Sequence, residues 1–194
     1  MKLPWNSPIA ALWLLWLLYW WWSSRAVKRA VRRESNASRA AHLVPLAIAA
    51  ALLAWPTWPV SLGGELLGRR WIDDSPVLDR AGVLLVAAGL AVSVWARAVL
   101  GGNWSATVTL KEGHEIVSEG PYRLVRHPIY TGLLLGLAGT ALARGDWRGV
   151  AAFVIASAAL WRKLRLEERW LTEEFGTRYL DYRRRTRALI PFVL

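Results

Sequence analysis

Uncharged runs alternate with short charged stretches along the whole chain. The first run, Pro4 to Ser24, is followed by an abruptly basic segment. A second fills Leu43 to Leu62 and is broken by Pro56 and Pro59. Three more cover Ala81 to Ala96, Pro128 to Ala143 and Gly149 to Trp161. A helix needs about 20 mostly apolar residues to cross a bilayer. The first two runs have that length, and the third reaches it with its flanks. The last two are shorter and are separated by Arg144-Gly145-Asp146-Trp147-Arg148. That spacing reads as an antiparallel helical hairpin with a polar turn, the alternative being a re-entrant or buried pair. The pattern predicts an all-α integral membrane protein of one domain, residues 1–194. Its five spans fall near residues 5–24, 43–62, 77–99, 128–143 and 147–163. Gly132, Gly136 and Gly139 would let helices approach closely in the hairpin.

Composition supports this reading. Hydrophobic residues make up 55% of the chain and charged ones 20%. Mean hydropathy is +0.25. Soluble domains carry roughly 45–50% apolar and 25% charged residues. A soluble enzyme, a disordered tail and a disulfide-stapled domain fit poorly. With no cysteine, thiolate metal sites and a cysteine nucleophile are excluded.

The net charge of +11 raises two readings, nucleic-acid binding or a positive-inside topology over anionic lipid. The distribution favours the second. Eighteen Lys and Arg lie in residues 25–39, 101–127 and the tail after Trp161, against five in the N-terminus, residues 63–76 and the hairpin turn. The N-terminus is expected outside and the C-terminus in the cytoplasm. The first run has a basic flank after it and only Lys2 before it, as an uncleaved helix does rather than a signal peptide. Trp20, Trp21 and Trp22 would form an interfacial aromatic belt.

Two segments on the expected cytoplasmic face are polar. One, Gly101 to His127, reads as a long loop before the fourth span. Loops of that length are usually functional or disordered, and this one mixes glycines, aromatics, His114 and His127. The other is the tail, read as the fifth helix running on to Gly176 and a short helix from Thr177 to about Arg185. Arg165 with Glu168 and Arg169 with Glu173 have the spacing of ordinary surface pairs. Together the two segments would frame a pocket at the membrane interface, open to a water-soluble cofactor and to a lipid. His127-Pro128 opens the fourth helix, with Pro128 in the first turn and Tyr130 near the same pocket. His127 either caps that helix or faces the pocket. His114 is either a pocket residue or a loop histidine. No histidine–carboxylate set has metal-ligand spacing, so no metal site is expected. No nucleotide-binding glycine motif or serine triad stands out.

The successive segments GNWSA, GHEIVSEGPYRLVRHPIYTG and EERWLTEEFGTRYLDYRRRTRALIP resemble the isoprenylcysteine carboxyl methyltransferase family, within a wider group that includes the phospholipid methyltransferases. The likeness covers residues 101–192. It implies an integral membrane methyltransferase that uses S-adenosylmethionine. It places cofactor-binding positions at His114, Glu115, Ile116, Val117, Tyr122, His127, Pro128, Ile129, Tyr130 and Glu167. Its acceptor-binding arginine falls on Lys163, which keeps the charge without bidentate geometry. Glu167 would pair the cofactor's ammonium or its ribose hydroxyls. Ile116, Val117 and Tyr122 would cover the adenine, and the start of the fourth helix would hold the carboxylate. The methyl group is already activated, so alignment is the main requirement and no catalytic residue is assigned. Were the acceptor an amine, Glu168, Tyr130 or His127 would be candidates to take its proton.

The expected acceptor is lipophilic, reached from the bilayer, and most consistent with a carboxylate. A phosphatidylethanolamine amine is the alternative. Anionic lipids are the other expected partners, and nucleic acid is not one. A reductase using NADPH, akin to sterol reductases, and a non-enzymatic lipid- or nucleic-acid-binding protein are the competing classes.

Overall fold

The computed structural model of the chain describes residues 8–25, 27–28, 30–54, 64–104, 108–111 and 116–191. Within these lie helices α1 (Pro8–Ser23), α2 (Asn36–Ala54), α3 (Gly64–Leu67), α4 (Pro76–Leu100), α5 (Pro128–Arg144), α6 (Trp147–Phe175) and α7 (Thr177–Arg185). The expected spans 77–99, 128–143 and 147–163 coincide with α4, α5 and the first part of α6. The tail also folds as anticipated, α6 running on to Phe175 and α7 following Gly176.

Helix starts follow their local chemistry. The Ser75 hydroxyl accepts from the Val77 amide ahead of Pro76. Asp146 accepts from Gly149 N at 3.1 Å and opens α6. The second span differs from expectation. Its helix starts at Asn36 rather than Leu43, because Ser35 Oγ accepts from Ser38 N at 3.2 Å and supplies a cap. Hydrophobic run length alone does not register such a cap. Residues 55–63, the end of that run, lie outside the described residues.

The core of the bundle is the contact of α4 with α5, built on glycine. A Cβ at Gly89 would lie 2.5 Å from Gly132 O and 2.6 Å from Gly136 N. One at Gly82 would lie 2.7 Å from Gly139 O. The glycines expected to close the α5–α6 hairpin thus seat α5 on α4 instead, while Gly149 of α6 meets Ala141 of α5. Helix α2 packs on α6 through Ala49, Leu52, Ala152 and Ala156. Helix α1 is pinned by two indoles, Trp13 Nε1 donating to Thr140 Oγ1 and Trp16 Nε1 to Ser93 Oγ, both at 3.1 Å.

The outer face of α1 is apolar. Leu14, Leu15, Leu17 and Leu18 of α1 are all more than half exposed. Among the described residues, Asn36–Ala54 and Pro76–Asn103 are helices long and apolar enough to cross a membrane. Of the three tryptophans expected in a belt, Trp21 and Trp22 point outward. Trp20 turns inward, stacked on Trp16 and edge-on to Trp104. Consecutive helix positions are rotated by about 100°, so three neighbours cannot share one face.

Two further features depart from the all-α, open-loop expectation. Strands β1 (Ala30–Arg33) and β2 (Thr109–Lys111) form a short antiparallel ribbon joining the α1–α2 connector to the long loop. The loop also contains short 3-10 turns at Gly101–Asn103 and Gly120–Arg123. Near its end, Arg126 N and His127 N donate to Arg187 O and Ala188 O, so backbone bonds also tie this loop to the tail.

Candidate functional site

Where α5 begins and α6 leaves the bundle, the two helices enclose a cavity of about 400 Å³. Lys163, Glu167 and Trp170 project into it from α6. Their spacing of four and three residues puts them on one helical face. From α5 come Ile129 and Tyr130, and just before them His127. Ile116, Val117 and Tyr122 contribute from the loop.

Glu167 is the hub of the polar wall. It accepts from Tyr130 Oη at 2.7 Å. His127 Nδ1 lies 3.6 Å from its other oxygen, and Lys163 Nζ lies 3.9 Å away. The His127 and Tyr130 rings are parallel within 4°, with centroids 5.5 Å apart. His127 occupies the N-cap position of α5 but makes no side-chain capping bond. Of its two expected roles, the geometry supports the one facing the pocket. Its backbone N–H donates to Ala188 O at 3.0 Å, so that amide is committed to the tail.

Behind this wall, Glu168 is held by two arginines and approached by His127. Arg126 Nε donates to its Oε1 at 2.6 Å, His127 Nε2 lies 3.4 Å from the same atom, and Arg183 Nε lies 3.7 Å from Oε2. Burial opposes ionisation of Glu168, but its contacts with His127 and Arg126 outweigh that and hold the carboxyl at about 2. Arg126 also donates to Thr186 O. Thr131 Oγ1 donates to Leu189 O at 2.7 Å, and Tyr182 Oη to Tyr122 O at 2.7 Å. These bonds clamp the C-terminal segment onto the start of α5. Burial raises the Tyr122 phenol well above its usual range, reinforced by Tyr182 and Glu167, so this ring meets the cavity as a neutral surface.

The opposite side of the cavity is apolar. Trp16 and Trp20 of α1, Leu43 and Leu46 of α2, Leu133 of α5 and Leu160 of α6 line it. Polar and apolar walls therefore share one chamber.

Of the residues singled out in the sequence, Ile116, Val117, Tyr122, His127, Ile129, Tyr130, Lys163 and Glu167 all line this cavity. Pro128 is fully buried beneath it and serves as framework. His114 and Glu115 lie outside the described residues. The expected surface pairing of Glu168 with Arg165 is replaced by the buried contacts with Arg126, His127 and Arg183. Glu173 pairs with Arg32 at 2.9 Å rather than with Arg169. A signal for Glu168 was present in the sequence. Leu160, Leu164 and Glu168 recur every four residues, so the buried stripe of α6 ends on a carboxylate. Nothing in the local sequence marked Trp16, Trp20 or Trp104 as cavity residues. Among the described residues no group of acids and histidines is arranged to hold a metal ion.

Residues 78–178 match the model of a family described as phospholipid methyltransferase. Over 87 residues the chain is 33% identical to protein-S-isoprenylcysteine O-methyltransferase B of Arabidopsis thaliana, covering 43% of each chain. It is 30% identical over 118 residues to protein-S-isoprenylcysteine O-methyltransferase of Saccharomyces cerevisiae, covering 58% of this chain and 48% of the relative. It is also 30% identical over 112 residues to steroid 5-alpha-reductase DET2 of Solanum lycopersicum, covering 58% of this chain and 41% of that one. The chain spans about half the length of the curated relatives it matches.

Proposed function

Because this chain belongs to the phospholipid methyltransferase family, we propose that it is an integral membrane methyltransferase that uses S-adenosylmethionine and methylates the carboxylate of a lipophilic acceptor. The observation that carries this reading is one chamber joining the Glu167–Tyr130–His127 wall to a wall of tryptophan and leucine. The relatives named protein-S-isoprenylcysteine O-methyltransferases favour a carboxylate acceptor.

The residues present suit the cofactor. A cavity of about 400 Å³ falls in the usual range for small-molecule sites, roughly 300–1,000 Å³. Glu167 offers a carboxylate to an ammonium or to ribose hydroxyls. Ile116, Val117 and neutral Tyr122 offer an apolar, aromatic cover for an adenine. Bound there, S-adenosylmethionine supplies a methyl group activated by its sulfonium. The protein's own contribution is positioning. Tyr130 and His127 hold Glu167 in place, and Lys163 sets a cation beside it for the acceptor's carboxylate. The wall of Trp16, Trp20, Leu43 and Leu46 receives the acceptor's apolar chain and keeps water out. An acceptor carboxylate is already ionised at neutral pH, so no base is required. Glu168, held by Arg126 and Arg183, braces the site and does not exchange a proton with the acceptor.

In this reading α1, α2, α4, α5 and α6 are the five spans. The N-terminus is outside, and the cavity and C-terminus are cytoplasmic, where the basic tail meets anionic lipid. The chain has no cysteine, so single cysteines introduced by Trp147→Cys and Arg178→Cys, both at exposed positions, report sidedness directly. Labelling of the residue-147 site from outside and of the residue-178 site only after permeabilisation is expected, and the converse pattern inverts the topology.

The decisive experiment is a titration of the detergent-purified chain with S-adenosylmethionine, S-adenosylhomocysteine and NADPH by calorimetry. Saturable binding of both adenosyl ligands is expected, weakened by Glu167→Ala and His127→Ala. Binding of NADPH alone would transfer the assignment to the reductase likeness. Transfer of labelled methyl to an S-prenylated cysteine, and not to phosphatidylethanolamine, fixes the acceptor as a carboxylate. The reverse result makes it the amine.

A further inference from the structure

Outside the polar wall of the cavity, one buried carboxyl group has a role that the transfer chemistry does not use. Glu34 ends the α1–α2 connector just after β1 and is 6% exposed. Its Oε1 accepts from Val108 N at 3.1 Å, and its own backbone N–H donates to Val108 O at 3.1 Å. Its Oε2 accepts from Ser38 Oγ at 2.8 Å in the first turn of α2. His42, fully buried one turn further on, sets Nε2 3.4 Å from Glu34 Oε1.

Val108 and its neighbour Thr109 line the cavity, and Val108 packs on Trp170, another cavity residue. Glu34 thus grips, at two points, Val108, the cavity-wall residue that leads into β2. It is attached in turn to the helix that carries Leu43 and Leu46 on the apolar side. The ribbon is only three or four residues long on each strand, too short to hold itself in place, since isolated two-stranded ribbons are marginal in water. Removing a buried acceptor leaves the opposing N–H without a partner, a cost that favours movement of the strand.

We propose that Glu34 is a positioning residue of the cofactor cavity, holding Val108 and the β2 strand that follows it against the bound ligand from the α1–α2 connector. This rests on the adenosyl-cofactor reading of the cavity. The test uses the full chain in detergent. Glu34→Ala is expected to raise the Kd for S-adenosylhomocysteine about tenfold. Glu34→Gln, whose amide oxygen still accepts from Val108 N, stays close to wild type. The acceptor KM at saturating cofactor is unchanged in both. Should Glu34→Ala fail to fold, Glu34→Asp takes its place, because the shorter side chain withdraws the oxygen from Val108. A wild-type Kd in the Ala or Asp variant overturns the proposal, as does an equal loss in the Gln variant or a parallel change in acceptor KM. Hydrogen exchange of the amides of residues 108–111 gives a readout that needs no ligand. Glu34→Ala accelerates it and Glu34→Gln does not, and unchanged exchange overturns the proposal. If the wild-type chain binds no adenosyl ligand, the methyltransferase reading fails by itself, and the exchange measurement still decides whether Glu34 holds the strand.

Discussion

Tyr130 donates its phenolic hydroxyl to Glu167 Oε1 at 2.7 Å, tying the first turn of α5 to α6 across 37 positions of sequence. The bond fixes a carboxylate on the polar wall of the chamber. His127, parallel to the Tyr130 ring, approaches the other oxygen of the same carboxylate. A carboxylate bonded through one oxygen and flanked at the other has restricted freedom, and that restriction is what a positioning site requires.

Tyr130→Phe removes this bond and leaves the packing of the ring. Binding of S-adenosylhomocysteine is expected to weaken by about tenfold, the effect of a hydrogen bond to a charged group worth roughly 1.5 kcal/mol. Titration calorimetry checks it. Unaltered affinity would mean that Glu167 is oriented by His127 and Lys163 alone.

Acid stability should depend on the Arg126–Glu168 pair. The Glu168 carboxyl sits at about 2 in the folded protein, against an ordinary value of 4.5. A lowered carboxyl contributes stability that is complete above pH 4.5 and is lost as pH falls through about 2. Arg126→Ala leaves the buried carboxylate with weaker partners, at a cost of about 3 kcal/mol. Thermal unfolding of the variant is expected to show a lower midpoint at neutral pH and a shallower loss of stability between pH 4.5 and about 2, because its folded carboxyl is no longer held so far below the ordinary value. A variant with the wild-type acid limb would show that Arg126 does not set this carboxyl.

The seam between α4 and α5 admits no methyl group at Gly89. Gly89→Ala places a Cβ 2.5 Å from the Gly132 carbonyl oxygen, and backbone must move to relieve it. A loss of about 2 kcal/mol is expected, together with weaker ligand binding, because α5 carries Tyr130. Gly136→Ala meets side chains alone, the edge of the Trp13 ring at 3.3 Å and Leu90 Cδ2 at 3.5 Å, and should be far milder. Paired unfolding curves separate the two.

Asp146 tests the far end of the bundle. It caps α6 and accepts from both Arg144 and Arg148, with the Arg148 Nη2 bond at 2.8 Å. Asp146→Ala removes the cap and leaves two guanidinium groups without it, a loss of about 2 kcal/mol. Affinity for S-adenosylhomocysteine should stay at the wild-type value, since the cavity lies at the other end of α5 and α6. A parallel loss of affinity would show that the two ends are coupled.

Much of the site was legible along the chain. Lys163 and Glu167 share a helical face by spacing, and His127-Pro128 marks a helix start. The residues assigned through the family likeness and described in the structure converge on one cavity, apart from Pro128 beneath it. Glu168 was readable in type but not in partner. Its spacing to Arg165 suggested a surface pair, whereas its partners Arg126 and Arg183 are 42 and 15 positions away. Helical spacing reports only neighbours on the same helix.

By itself the sequence determined the apolar helices, the polar hairpin turn, the continuation of α6 into the tail and the residue types needed for a carboxylate-centred pocket. All of these depend on local composition and on periodicities of a few residues. Tertiary structure alone decided that α5 seats its glycines on α4, that Trp20 turns inward, and that the α1–α2 connector pairs a strand with β2 and bonds Glu34 to Val108 of the cavity wall. Those outcomes depend on which distant surfaces meet, and close packing and pairing of buried polar groups select among arrangements that local pattern leaves equivalent.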